Sequence, residues 1–418
     1  MGIPAALVLE EKGEDILLEH TALEQRSCLI YWEMADYGYY KKSRRRKERG
    51  AWGGVALKVL DVVMLVFSVL CLLLLLSAYL AKYIDPNSSA FFAFPGLMFP
   101  VLYIAGLLLT LYWVVRWKIY AIVMAVVLLL GIGNTRLFYK MDLREHYGDK
   151  TPGKTEVVVM SYNVMGFHSK YGRDGKSIQE IIGEFVLDNN VDILCLQEFP
   201  ASREHNSLFG EILSELRYRH ILPYYDDKPE GLALAIYSRY PIVLRGNLEA
   251  EGIQVRPIWT DIRIRRDTVR VLNSHLQSTT ISGNDVDFLK GRGSAGGVDG
   301  EARIKGIARK LRDNYRKRAP QAKDIAGFVS ESPYSTVVCS DMNDTPMSYA
   351  YRRISRGMQD SFVEKGSGIT GTYNGFFNMF RIDYIFMSKE LEVKNYFSYD
   401  EVYSDHNPVA ASLEFIKK

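Results

Sequence analysis

Six apolar runs after residue 155 stop at residues able to do chemistry. VVVMSYN stops at Asn163, and DILCLQE at Gln197 and Glu198. VRVLNSH stops at His275, and STVVCSDMND brings Asp341 and Asn343. RIDYIF carries Asp383 near its start, and EVYSDH brings Asp405 and His406. One such interruption is an ordinary turn, because Ser, Asp and Asn bond their own backbone. Six of them, all acids, amides or histidines, point to strand ends that converge on one polar site, and strand-end loops are where sites are built. Glu198, Asp341 and Asp405 are hard oxygen donors suited to Mg2+ or Mn2+ with several waters retained. Cysteines and histidines are too few for a zinc cage. No Gly-x-x-x-x-Gly-Lys loop is present to cradle a nucleoside triphosphate. His275 and His406, each with a possible carboxylate partner, suit acid–base work and charge neutralisation on a phosphate. The amides of Asn163 and Asn343 can orient a phosphoryl oxygen or a water without adding charge. The reaction class these residues suit is metal-assisted hydrolysis of a phosphate ester.

Those residues need a scaffold, and the texture of residues 150–418 supplies one. Short runs rich in β-branched and aromatic residues, bounded by turn residues, read as strands. Between them, Ile178, Ile181, Ile182, Phe185 and Val186 share one helical face. Ile304, Ile307, Leu311, Tyr315, Ala322, Ile325 and Val329 share another. Pro320 is expected to kink or split the second helix. Residues 279–301, rich in Gly, Ser and Asp, read as a mobile loop. The mixture predicts one α/β domain with two packed sheets and helices outside.

The first third of the chain is different. Apolar runs at residues 56–81, 97–115 and 119–133 predict a transmembrane region of three spans within residues 55–135, the third of them short. Residues 1–54 form a basic segment that does not read as a signal peptide, because its charges follow the opening stretch. Lys41, Lys42, Arg44, Arg45, Arg46, Lys47 and Arg49 precede the first run, and Arg116 and Lys118 sit between the second and third. The positive-inside rule places both clusters in the cytoplasm and the domain after them on the extracytoplasmic side of a multi-pass membrane protein. The whole chain has 418 residues and a net charge of only +3, so charge announces no nucleic-acid partner. Four cysteines are too few for a disulfide scaffold. Cys71, Cys195 and Cys339 lie in apolar runs and read as buried thiols.

Taken in order, S-Y-N-V, D-I-L-C-L-Q-E, S-H-L, S-D-M-N-D-T-P, R-I-D-Y-I and S-D-H-N-P-V resemble the endonuclease/exonuclease/phosphatase family over about residues 155–416. The membrane lead resembles a membrane-anchored, Bacteroidetes-type bacterial branch. The resemblance implies a four-layer α/β sandwich, similar to pancreatic deoxyribonuclease, with the site at one edge of its two sheets. It implies Glu198 as the principal Mg2+ ligand, with Asn163 supporting the metal and Asp405 lining it. It implies that Asp341 and Asn343 bind the phosphate and orient the attacking water. His275 would stabilise the pentacovalent phosphate, and His406 would be the acid–base histidine, oriented by Asp383. Ser340-Asp341-Met342-Asn343 departs from the family's usual Gly-Asp-Phe-Asn, which touches only the tightness of the local backbone. Glu230 is a candidate partner of His275, and Arg381 a rival partner of Asp383. Asp360, Thr372 and Tyr373 read as packing and turn residues, and the basic helix Arg303–Lys323 as a solvated face. The function expected is that of a phosphoesterase tethered to the bilayer through its helices, acting on a lipid headgroup or a nucleic acid. The rival is an inactive family domain serving as a binding module, which has no need of six intact polar positions.

Overall fold

The computed structural model describes residues 55–140, 153, 155–168, 175–249, 255–279, 285, 288, 298–376, 380–401 and 403–416. The basic segment 1–54 and most of the loop 279–301 lie outside the described residues. Cys71–Lys418 form one compact unit, and residues 55–70 are the start of an apolar helix.

Fourteen strands follow in chain order: β1 (Tyr139–Lys140), β2 (Val157–Asn163), β3 (Ile193–Pro200), β4 (Tyr218–Pro223), β5 (Leu232–Ser238), β6 (Ile242–Asn247), β7 (Ile258–Ile264), β8 (Asp267–His275), β9 (Ser335–Asp341), β10 (Met358–Asp360), β11 (Gly368–Ile369), β12 (Asp383–Ser388), β13 (Leu391–Ser398) and β14 (Val409–Phe415). They make two six-stranded sheets, ordered β13-β14-β2-β3-β5-β4 and β10-β12-β9-β8-β7-β6, and a small β1–β11 pair. Each large sheet has one parallel pair at its centre, β2–β3 and β8–β9, and antiparallel neighbours around it. A parallel pair needs a crossover, and a helix supplies it each time. Ile178–Asp188 joins β2 to β3, opened by a capping box between Ser177 and Glu180. Val298–Ser330 lies between β8 and β9.

Side chains alternate along each strand, and the alternation builds the layers. Val157, Val159, Ile193 and Cys195 of one sheet meet Val269, Val271, Val337, Cys339 and Ile385 of the other in a shared core. Val158, Met160, Leu194 and Leu196 face outward onto the helices Ile178–Asp188 and Arg203–Ile212. Leu272, Val338, Tyr384 and Phe386 face outward with Ala322 and Ile325 of the long helix. The result is an α/β sandwich of mixed sheets with helices on both outer faces. Cys71, Cys195 and Cys339 are buried free thiols.

Two expectations are narrowed. Val298–Ser330 is one continuous helix with Pro320 inside it, so the proline does not split it. Burial of Ala319, Ala322 and Ile325 around the proline keeps both halves on the sheet. The three-span reading is also reduced. Val55–Ala81, with 27 residues, is the one described helix long and apolar enough to cross a membrane by itself. The second run is a bent pair, Ala90–Leu97 and Phe99–Val115, at 64° to each other. Pro100 falls in the first turn of Phe99–Val115, where its missing N–H costs nothing, so the helix restarts there. The third run, Tyr120–Thr135, has 16 residues and ends near a buried Asn134 that accepts a 2.6 Å hydrogen bond from Lys82 Nζ.

Candidate active site

The polar ends of the strands converge because register and alternation agree. In β2, β3, β8, β9 and β12 the positions continuing the inter-sheet face are Asn163, Gln197, His275, Asp341 and Asp383. Asn163 pairs beside Gln197, His275 beside Asp341, and Asp341 opposite Asp383. All therefore lie at one edge of the sandwich. By alternation alone Glu198 would turn away. A bulge in β3 between Leu196 and Phe199, with Glu198 at φ +53°, re-aims it. Asn343 also takes a positive φ, +51°, which Asn accepts better than most residues.

Two hydrogen-bonded groups share Asp341. In the first, Asn163 Nδ2 donates to Asp341 Oδ2 at 2.9 Å and to Glu198 Oε1 at 3.3 Å. Asn163 Oδ1 accepts from Met165 N, which fixes the amide. His275 Nε2 lies 3.4 Å from Asp341 Oδ2 and 3.9 Å from Glu198 Oε1. In the second, His406 Nδ1 meets Asp383 Oδ2 at 3.0 Å, and its Nε2 lies 3.8 Å from Asp341 Oδ2. Asn343 joins through its backbone N–H, which donates to Asp341 Oδ1 at 2.9 Å. Asp405 stands beside His406, its carboxylate 3.4 Å from Ser404 Oγ. Among the described residues no hydrogen bond links Asp405 to Glu198.

The support beneath these groups includes residues that the sequence did not single out. Glu198 N donates to Tyr224 OH at 2.7 Å, and Tyr224 OH meets His275 Nδ1 at 2.8 Å. If Tyr224 gives its proton to Nδ1, a neutral His275 carries hydrogen on Nε2. Tyr224, not the exposed Glu230, is therefore the partner of His275. Gln197 Nε2 donates to Asn273 Oδ1 at 2.7 Å and ties the two sheets together under the site. Thr372 Oγ1 accepts from the backbone of Ile382 and Asp383. Tyr373 forms a backbone bridge with His406. Arg381 is paired with Asp360 at 2.8 Å, which leaves Asp383 to His406.

Electrostatics follow from crowding. Burial alone would lower the pKa of His406, but Asp383, Asp341 and Asp405 override it and hold the imidazole up to about 10. Burial pushes the Asp383 carboxyl up, against the pull of His406.

The donor set fits a hard divalent cation. Ligand atoms of Asp341, Asp383 and His406 lie within 4.8 Å of one another. Asp383 Oδ1 is buried with no hydrogen-bond partner among the described residues. The Glu198 carboxylate, a further hard oxygen donor, accepts from the same Asn163 amide that donates to Asp341. So many carboxylates also repel a phosphate anion unless a cation stands between them.

A model described as the Endonuclease/Exonuclease/phosphatase family matches residues 160–406, more than half of the chain. A domain of unknown function matches residues 61–138. No curated protein matches. Among solved structures, an endonuclease/exonuclease/phosphatase family protein from Bacteroides thetaiotaomicron is 20% identical, with 63% of this chain and 96% of that one covered, at a TM-score of 0.44. An endonuclease/exonuclease/phosphatase from Beutenbergia cavernae is 16% identical, covering 63% of this chain and 72% of that one, also at 0.44. A mannosyl-6-phosphatase from Bacteroides thetaiotaomicron is 19% identical, covering 62% and 100%, at 0.42.

Proposed function

The chain belongs to the endonuclease/exonuclease/phosphatase family, and from that premise we propose that it is a membrane-anchored, Mg2+-dependent phosphoester hydrolase. The observation that carries the reading is the pair of oriented histidines that converge on Asp341 from opposite sheets. Glu198 would hold the cation, kept in place by the hydrogen bond from Asn163 Nδ2, with Asp405 lining its site. When bound, the cation supplies Lewis-acid polarisation of a phosphoryl oxygen. His275, its Nδ1 satisfied by Tyr224, presents Nε2–H to a phosphoryl oxygen and stabilises the charge that grows there. Asp341 and Asn343 bind the phosphate and orient the attacking water. His406 keeps Nδ1–H on Asp383 and moves a proton at Nε2. The carboxylate of Asp383 fixes that tautomer and stabilises the imidazolium.

The substrate pool follows from the helix Val55–Ala81, which we take as the anchor. With the basic residues 41–49 held in the cytoplasm, one crossing carries the catalytic domain outside. Phosphodiesters or phosphomonoesters of lipid headgroups and nucleic acid are then the accessible classes. The test is turnover by the full chain in lipid nanodiscs of duplex DNA, RNA, phospholipid and bis(p-nitrophenyl) phosphate, with Mg2+ and with chelator. Glu198→Gln should stay folded and lose metal-dependent turnover. Full activity in chelator, or an unchanged rate in Glu198→Gln, overturns the assignment.

A further inference from the structure

Pro320 leaves a debt inside the long helix. It has no N–H, so the carbonyl four residues earlier, Arg316 O, lacks its regular i→i−4 donor. Asn87, in the segment that leaves the apolar helix at Ala81, fills that position: its Nδ2 donates to Arg316 O at 3.1 Å. Asp85 of the same segment pairs with Lys323 Nζ at 2.6 Å, and its Oδ1 accepts from Asn87 N at 2.8 Å. Phe94 stacks edge-on against Tyr315 with ring centres 5.9 Å apart. Tyr83 lies under the Arg352 guanidinium at 4.2 Å. Gly96 approaches so closely that a Cβ there would sit 3.3 Å from Met347 O, four residues beyond Asn343.

The opposite side of that helical stretch holds the site. Gln321 Oε1 accepts from the backbone N–H of Gln277, two residues after His275, at 3.0 Å. Arg318, 1% exposed, lies 3.6 Å from Asp344 Oδ2, and Asp344 follows Asn343. Its Nη1 and Nη2 make no hydrogen bond among the described residues, so the guanidinium rests where the helix puts it. The other flank is tied to the far end of the membrane region. Arg381, two residues before Asp383, grips Asp360 with two hydrogen bonds and donates to Leu137 O at 2.9 Å. Tyr139 and Lys140 pair with Ile369 and Gly368, just ahead of Thr372.

We propose that residues 82–98 and 137–140 are positioning elements of the active site, with Asn87 the residue through which the membrane segment sets the helix that carries Arg318 and Gln321. This rests on the phosphoester-hydrolase reading for its effect on turnover. It needs no motion of the bilayer segment. Asn87 closes a gap that the proline opens, and the loops of His275 and Asn343 are placed by what that closure holds still.

The test is a double-mutant cycle in the full chain, in nanodiscs, with bis(p-nitrophenyl) phosphate and Mg2+. Asn87→Ala should lower kcat by about tenfold with KM unchanged, within the range of coupling through packed networks. Pro320→Ala restores an N–H beneath Arg316 O, so in that background Asn87→Ala should cost less than about twofold. Amide hydrogen exchange at residues 276–279 and 342–346 should rise in Asn87→Ala and return to normal in the double variant. That readout needs no turnover, so absence of hydrolysis on any substrate counts against the reading of the activity and not against the positioning role. Unchanged exchange in Asn87→Ala, or a loss that persists in the Pro320→Ala background, overturns the proposal.

Discussion

His406 is the residue whose surroundings make the firmest physical demand. Three carboxylates face one buried imidazole, and its proton is held up to a pH of about 10. In the unfolded chain the same ring titrates near ~6.5. A folded pKa above the unfolded one contributes stability that is fully present below ~6.5 and is lost as pH rises through the folded value. In metal-free protein, the Tm advantage of the wild type over His406→Gln should therefore be largest at about pH 6 and shrink toward about pH 10. Thermal unfolding in chelator across that range checks it. A constant difference would mean that folding leaves the pKa of His406 unshifted, and that its pairing with Asp383 does not favour the charged ring.

At the level of strands and helices, the sequence was legible wherever one rule was enough. Alternation placed Asn163, His275, Asp341 and Asp383 on one face, and the structure brings these polar strand ends together. What stayed hidden needed a contact distant in sequence or a broken rule. Tyr224 follows Pro223 as one aromatic among 27 tyrosines, and only β-pairing puts its hydroxyl between Glu198 and His275. Pro320 read as kinking or splitting the helix because the donor to Arg316 O, Asn87, lies 229 residues away from that carbonyl. Glu198 works against its own backbone: a positive φ costs a non-glycine residue about 1–2 kcal/mol. Strain of that kind is kept where the position of a side chain is worth it. Glu198→Gly relieves it at the cost of ~0.5–1 kcal/mol in chain entropy. Glu198→Gly should thus be more stable than Glu198→Gln by about 0.5–1 kcal/mol, although both remove the proposed ligand. Urea unfolding of the two variants in chelator decides this. If Glu198→Gly is the weaker of the two, the bulge is a relaxed feature of β3 and not a device for aiming the carboxylate.

For the molecule as a whole, the question is on which side of the membrane the site lies. The composition of the first third suggested three crossings, and one helix has the length for it. The difference matters less than it first appears to, because parity decides the side. Phe99–Val115 and Tyr120–Thr135 are joined through Arg116–Ile119, with Trp117 at φ +51° closing the turn. Gly106 lets the two pack closely, since a Cβ there would come within 3.0 Å of Leu128. If the two helices stay packed as this hairpin, they would add two crossings or none. On the proposed anchoring the number of crossings would stay odd in both cases, with the basic residues 41–49 inside by the positive-inside rule. A periplasmic-type reporter such as alkaline phosphatase fused after Lys418 should therefore be active, and the same reporter fused before Lys41 should be silent. Fusions within 84–89 should behave like those after Lys418, because that segment follows the first crossing. An active fusion at 84–89 with a silent one after Lys418 would mean that the bent pair crosses once and Tyr120–Thr135 does not. The catalytic edge would then face the cytoplasm, and soluble nucleotides and inositol phosphates would replace outer-leaflet lipids as the substrates to try first.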